Sequence, residues 1–315
     1  MCRISVIVPN WNGVRFLPMC LDSLERQSIS DFEVVLVDNG STDESVSFVR
    51  DHYPKVKLLL LGENRGFAFA VNAGIKTSTS KFIALLNNDA KAHPYWLANL
   101  YRALKEHSDI GFCASKILFF NQPNVINAAG DAFSPWHSPR NIGLGRIDSV
   151  QYENFRQVFG ACAAASMYRR AMFDDVGLFD EDFWAYYEDM DISFRGQLCG
   201  YKCLYVPDAV VFHVGSGTAG YLSPRVVYFL RRNFIYLIVK NMPLKLILKY
   251  LFPIVGLQMG LDIMFLLRGH FTPVLKARLD AIKNLIRMWR KRKQIQHERR
   301  VTDAYLQSLF KSYER

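Results

Sequence analysis

The chain has little that would mark it for export or for crossing a membrane. Its six cysteines, at positions 2, 20, 113, 162, 199 and 203, include no C-x-x-C pair. Nothing around them suggests a secreted disulfide framework, so reduced thiols in a cytoplasmic setting are expected. The N-terminus has one basic residue and then a short apolar run with no small-residue cleavage site, a poor match to a signal peptide. Long hydrophobic runs are missing as well. Residues 246–267 are greasy, but Lys249 and Asp262 interrupt them, and the longest uncharged stretch, Tyr250 to Leu261, has 12 residues. A spanning helix needs roughly 20. No internal repeat and no low-complexity tract interrupts the chain.

What is present is the composition of a folded protein. The 315 residues are 50% hydrophobic and 22% charged, enough for one large domain or two modest ones and too apolar for disorder. The formal net charge of +10 is unevenly placed. Residues 268–315 hold thirteen Lys or Arg against four Asp or Glu, which leaves the first 267 residues close to neutral. In the first hundred residues, the apolar runs 4–8, 32–37, 56–61 and 82–86 read as buried strands separated by amphipathic stretches, the pattern of a parallel α/β sheet. Phe16, Leu17, Leu21 and Leu24 recur at helical spacing, and Ser41 with Glu44 forms a capping-box pattern that would open a second helix. From about 110 to 225 the pattern predicts mixed strands and substrate-shaping loops, and from Pro224 onward it predicts helices.

Open α/β sheets bind ligands beyond the carboxyl ends of their strands. Here those ends carry Pro9-Asn10, Asp38-Asn39 and Asn87-Asn88-Asp89. In LLNNDA, Asp89 could hold a divalent cation together with a substrate's phosphates, or simply cap a helix. WAYYEDMDISFR sets Glu188, Asp189 and Asp191 among aromatics; desolvated acids of this kind can serve as base or metal ligand, and the plainer alternative is compensation of a helix dipole. His213 ends a strand-like run before GSGTAG, a loop that could act as a lid over phosphates, although a lone histidine is often a core residue. The segment 63–75, with Asn64, Arg65, Gly66, Asn72 and Gly74, is neither a Walker A loop nor G-x-G-x-x-G, and also fits a loop and helix packed on the sheet.

Taken in order, SVIVPNWN, VVLVDNGSTD, NRGFAFAVNAG, LLNNDA, GACAAASMYRR, GLFDEDFWAYYEDMDISFRGQLCGYK and VPDAVVFH resemble the family-2 inverting glycosyltransferases over about residues 3–235. Within that family the motifs look most like bacterial rhamnosyltransferases of O-antigen and polysaccharide assembly. The resemblance implies the GT-A fold, an α/β Rossmann-like architecture with a mostly parallel central sheet flanked by helices, here with a C-terminal helical, basic extension. It places a catalytic domain at 1–225 and a helical region at 226–315. It implies nucleotide contacts from Pro9, Asn10, Asp38, Arg65 and Asn88, with Asn88-Asp89 at the D-x-D position and Asn88 in place of an acid. The same carry-over makes Asp89 and His213 ligands of Mg²⁺ or Mn²⁺, Asp189 the general base and Glu188 its support. Asp131 and Trp136, within residues 127–146, with Trp184 and Asp191, are acceptor-site candidates. The implied reaction transfers a sugar, L-rhamnose from dTDP-rhamnose first and a UDP-linked hexose, galactofuranose or N-acetylhexosamine otherwise, to a saccharide or polyprenyl-diphosphate-linked acceptor.

The C-terminal 90 residues lie outside those motifs. Lys240, Lys245, Lys249, Arg287 and the RKRK run at 290–293 fit helices lying on an anionic membrane surface at the inner face of the cytoplasmic membrane. A homodimer surface with a solvated basic face is the alternative. A nucleic-acid partner is not expected, because the charge is confined to one tail with no recognisable nucleic-acid module around it. A non-catalytic nucleotide-binding scaffold is the remaining reading.

Overall fold

A computed structural model describes residues 3–154, 156–215 and 223–311. The GSGTAG loop, from Ser216 on, and Cys2 lie outside the described residues. The chain opens with β1 (Ile4–Asn10), α1 (Leu17–Glu25), β2 (Phe32–Asp38), α2 (Ser45–His52), β3 (Lys57–Leu60), α3 (Phe67–Thr77), β4 (Phe82–Leu86), β5 (Ala90–Ala92) and α4 (Trp96–Glu106). It continues through β6 (Ile110–Phe119), β7 (Gln122–Ala129), β8 (Asp131–Ser134), β9 (His137–Asn141), β10 (Arg156–Val158), β11 (Ala165–Arg169), α5 (Arg170–Val176), α6 (Glu188–Leu198) and β12 (Lys202–His213). Helices α7 (Pro224–Asn241), α8 (Leu244–Lys249), α9 (Leu251–Leu267), α10 (Phe271–Lys283), α11 (Leu285–His297) and α12 (Asp303–Lys311) complete it. The four strands read from the sequence are present nearly as expected.

The central sheet has the order β10-β12-β6-β11-β4-β1-β2-β3. Strands β3, β2, β1 and β4 pair in parallel, and β6 and β12 continue in the same direction. Only β11 and β10 on this path run against them. The result is a mixed α/β fold with a mostly parallel sheet and helices on both faces. Period-two alternation decides the faces. In β1, Ile4, Val6 and Val8 join α1, α2 and α4 in one core, while Ile7 joins α3 and Val35 and Val37 of β2 in the other. Gly74 of α3 makes that contact possible, since a Cβ there would lie 2.5 Å from Ile7 Cγ2.

A third core joins the two halves of the chain. Phe133, Phe159, Phe183 and Phe194 pack with Phe234, Tyr236, Met288 and Phe310 of the C-terminal helices. The helices after Pro224 therefore bury apolar area against the sheet-bearing part rather than trailing from it.

One local expectation fails. Helix α2 begins at Ser45, and neither Ser41 nor Glu44 caps it through a side chain. Asp43 takes that place, with Oδ1 accepting from Ser45 N at 3.1 Å. The Ser41 hydroxyl is already committed, accepting from Asn12 N at 2.9 Å and from Asn10 Nδ2 at 3.2 Å. Tertiary contact at the strand ends outweighs the local capping pattern.

Candidate active site

Three strand ends are stitched together by side chains. Asn10, at the end of β1, is buried; its Nδ2 donates to Asp38 Oδ1 at 3.1 Å, and its Oδ1 accepts from Asn88 Nδ2 at 2.6 Å. Asp38 Oδ2 accepts from Ser41 N at 3.0 Å. Pro9 lies past Ile7, the last residue of β1 paired with β4. Beside them, Asn39 Oδ1 accepts from Arg65 N at 3.0 Å, and the Arg65 guanidinium lies 3.5 Å from the centre of the Phe69 ring. Pro9, Asn10, Asp38, Arg65 and Asn88 thus gather at the carboxyl ends of β1, β2 and β4. Gly66, at φ +92°, lets this loop reach Trp184, whose carbonyl oxygen would stand 2.7 Å from a Cβ.

The next group is set by strand register. Short strand β5 pairs antiparallel with the end of β12, Ala90 opposite His213, which brings Asp89 Oδ1 to 3.1 Å from His213 Nε2. The other ring nitrogen, Nδ1, faces Asn127 Oδ1 at 3.3 Å. A proton on Nδ1, donated to Asn127, leaves the Nε2 lone pair facing the carboxylate. Asn87 Nδ2 lies 3.4 Å from the same Nε2, and Asn87 Oδ1 is buried with no hydrogen-bond partner. A carboxylate oxygen, an imidazole nitrogen and an orphaned amide oxygen fit a divalent cation such as Mg²⁺ or Mn²⁺. Among the described residues no three His, Cys, Asp or Glu side chains converge into a closed metal cage.

The acidic stretch follows a strained turn. Trp184, Tyr186 and Tyr187 have φ of +65°, +68° and +67°, which for bulky residues costs of order 1 kcal/mol each and needs support from outside. Asn233 of α7 supplies it, with Nδ2 at 2.9, 2.8 and 2.7 Å from the carbonyl oxygens of Phe183, Ala185 and Tyr186. Trp184 is stacked on Phe229, ring centres 5.1 Å apart, with Arg225 4.2 Å above its ring.

Helix α6 then starts at Glu188. Asp189 Oδ1 accepts from Met190 N at 2.8 Å and Oδ2 from Ala163 N at 3.3 Å. Burial pushes its carboxyl up, against the pull of these backbone donors. Glu188 and Asp131 are buried, and each leaves one carboxyl oxygen without a partner. Both are held well above the usual carboxylate range, by burial first and then by the neighbouring Asp189. Asp189, Glu188 and Asp131 therefore form one electrostatically linked group. Ala164 O accepts from Asn87 N at 2.9 Å, so the segment Ala163–Ala164 touches Asp189 on one side and the Asn87-Asn88-Asp89 turn on the other.

Two expected site residues stand elsewhere. Asp191 is 0% exposed, bonded to Arg195 Nε at 2.9 Å, Lys240 Nζ at 2.7 Å and Asn241 Nδ2 at 2.8 Å. It is an interior ion pair with no face toward an acceptor. Trp136 packs edge-on against Tyr250, ring centres 5.2 Å apart, and so leans on the C-terminal helices. The same geometry corrects the reading of Lys240 as a surface cation. Sequence reasoning placed Asn39 at a strand end without a role and missed Asn127 and Asn233. The strand-end motif locates Asn39 beside Asp38, whereas Asn127 and Asn233 carry no local signal.

Comparison with known proteins places the chain in a family. Residues 5–177 match the family described as Glycosyl transferase family 2. An uncharacterized glycosyltransferase, YwdF, of Bacillus subtilis is 26% identical over 216 residues, 68% of this chain and 75% of that protein. A PGL/p-HBAD biosynthesis glycosyltransferase of Mycobacterium bovis is 28% identical over 177 residues, 55% of this chain and 61% of that protein. Among solved structures, GalNAc-T7 with UDP, GalNAc and Mn²⁺ superposes with a TM-score of 0.62 at 18% identity, covering 75% of this chain and 48% of that one. A mannosyltransferase from Pyrobaculum calidifontis with GDP-Man and Mn²⁺ has a TM-score of 0.55 at 18% identity, over 99% of this chain and 84% of that one. With more than half its length matched, the chain belongs to glycosyl transferase family 2 and is a glycosyltransferase of the GT-A fold.

Proposed function

We propose that the protein transfers a sugar from a nucleoside diphosphate donor to a saccharide acceptor in one displacement, with inversion at the anomeric carbon. The observation that supports this is the shared segment Ala163–Ala164, in which Ala163 N donates to Asp189 and Ala164 O accepts from Asn87 N, linking the Asp189 carboxylate to the turn that carries Asp89 and its partner His213. Asn10, Asp38 and Arg65 orient the nucleoside, while Asp89, His213 and Asn87 would hold a divalent cation, a reading supported by the Mn²⁺ in the two structural neighbours. When bound, that cation offsets charge growing on the departing diphosphate. Asp189 receives the acceptor hydroxyl's proton as the oxygen attacks the anomeric carbon and the bond to the diphosphate breaks. Burial raises its proton affinity toward the range where a base works best.

The donor we favour is dTDP-L-rhamnose, on the motif resemblance, and the acceptor a saccharide carried on a polyprenyl diphosphate. The experiment is a transfer reaction with Mn²⁺ and dTDP-rhamnose or a UDP-sugar, reading the released nucleoside diphosphate and the anomeric configuration of the product. Inversion with dTDP-rhamnose supports the whole reading. Inversion with a UDP-sugar moves the donor and keeps the mechanism, whereas a retained configuration overturns the single displacement.

A further inference from the structure

The C-terminal helices carry an apolar face that no part of the described chain covers. On α9, Phe252 is 86% exposed and Leu267 84%, and Met259 and Ile263 are exposed between them. These four recur at helical spacing along one side. Phe271 and Leu275 begin a second exposed line on α10. The inward side of α9 carries Ile254, Gln258 and Phe265, and on its flank Asp262, its only charge, bonds Arg231 Nε and Arg278 Nε at 2.8 Å each. The other acid between 242 and 297, Asp280, accepts from Tyr228 at 2.7 Å. Every acidic side chain of this segment is turned inward, and the outer face is left apolar.

Several of the cations read from the sequence are spent inside the fold. Lys240 and Arg292 are buried, Lys291 and Arg287 pair with Asp182 at 2.7 and 2.6 Å, and Lys249 is bonded to Gln307. Lys245 and Lys293, by contrast, have no bonded partner among the described residues and line one groove with Trp289 and the Arg299–Asp303 pair, between α8, α11 and α12. At about 1.5 Å per residue, the 17 residues of α9 reach roughly 26 Å, short of a bilayer's hydrocarbon thickness. No helix among the described residues is long and apolar enough to cross a membrane.

We propose that the outer face of α9 and α10 beds into the surface of an anionic lipid bilayer, with Lys245 and Lys293 meeting lipid phosphates at its rim. An apolar face whose own acids are turned inward, on a segment that carries an excess of cations, is complementary to such a surface, and less so to a second copy carrying the same positive charge. Tyr250, the buried residue just before α9, packs against Trp136, so docking would hold the β8–β9 hairpin close to the lipid. This inference does not rest on the transfer chemistry.

Flotation of the full chain with vesicles of phosphatidylcholine, with and without phosphatidylglycerol, tests it. The wild-type chain is expected to float with the phosphatidylglycerol vesicles. Phe252→Glu/Ile263→Glu/Leu267→Glu should weaken that partition by about a hundredfold or more. Lys245→Glu/Lys293→Glu should remove the preference for anionic over neutral vesicles, by about tenfold or more. A cooperative thermal melt close to the wild type's in each variant shows that it is folded and keeps a failure here separate from a failure of the transferase reading. Flotation unchanged in both variants would overturn the proposal, as would a wild-type dimer that the triple variant converts to monomer without any vesicle binding. If the triple variant does not fold, an unchanged lipid preference in the double variant still sinks the claim.

Discussion

Asp189 and Asp191 stand two residues apart on the first turn of α6, and their surroundings are opposite. Asp191 is enclosed by Arg195, Lys240 and Asn241. Burial alone would raise its carboxyl, but Lys240 and Arg195 outweigh it and hold Asp191 below the ordinary range. Asp189 has only backbone donors, and its neighbours Glu188 and Asp131 are themselves buried acids with an unpartnered oxygen each. One acid is tied to the interior as an anion, and the other is kept where a proton can be taken up. A helix turn with successive side chains about 100° apart makes this separation possible, and α7 enforces it by bringing Lys240 to one side and Asn233 to the strained turn before the other.

The sharpest way to break the comparison is on the Asp189 side. Asp189→Asn keeps the shape and removes the base, so turnover should fall by about 10²–10⁴-fold, with nucleotide affinity unchanged. Single-turnover assays beside nucleotide titration check both halves. On the Asp191 side the expected loss is in stability. Lys240→Met leaves Asp191 and Asp180, 2.6 Å from the same ammonium, without their shared cation, at about 3–5 kcal/mol in urea unfolding. A variant with unchanged stability would mean that Arg195 and Asn241 suffice.

A third prediction concerns the strand-end pair. His213→Ala should weaken the Mn²⁺ dependence of nucleotide binding by roughly tenfold or more while leaving the melting temperature within a few degrees. Titrating the metal at fixed nucleotide reads this directly. The smallest effect should come from pH. Glu188 is raised above its unfolded value, so the native state holds its proton longer than the unfolded one, and stability is lost as pH rises through that window. Asp191 is lowered, so its contribution is present above the unfolded carboxylate range and is lost on acidification. Glu188→Gln should flatten the loss at higher pH and leave the acid limb as it was, which unfolding curves collected across pH would show.

Much of the α/β half could be read from the chain because its signals are local. β1, β2 and β4 are apolar runs that end in amides and acids, and period-two alternation alone sorts Ile4, Val6 and Val8 from Ile7. Asp38, Asn88, Asp89 and His213 follow from where strands end. The features that escaped depend on distant partners. Lys240 reads as a surface cation in a helix until Asp191, 49 positions earlier, is placed beside it. Asp191 reads like Asp189 for the same reason, and Ser41 reads as a helix cap until the loop of Asn12 claims its hydroxyl. Asn127 and Asn233 are lone amides in sequence, and only the register of β12 and the docking of α7 give them their tasks.

The measurement closest to the central claim is isothermal titration of dTDP and UDP, with and without Mn²⁺, into the wild-type chain, Asp89→Asn and Asp189→Asn. The account predicts metal-dependent binding of one nucleotide to the wild type, retained in Asp189→Asn and lost in Asp89→Asn. Binding that ignores both Mn²⁺ and the Asp89 substitution would contradict it.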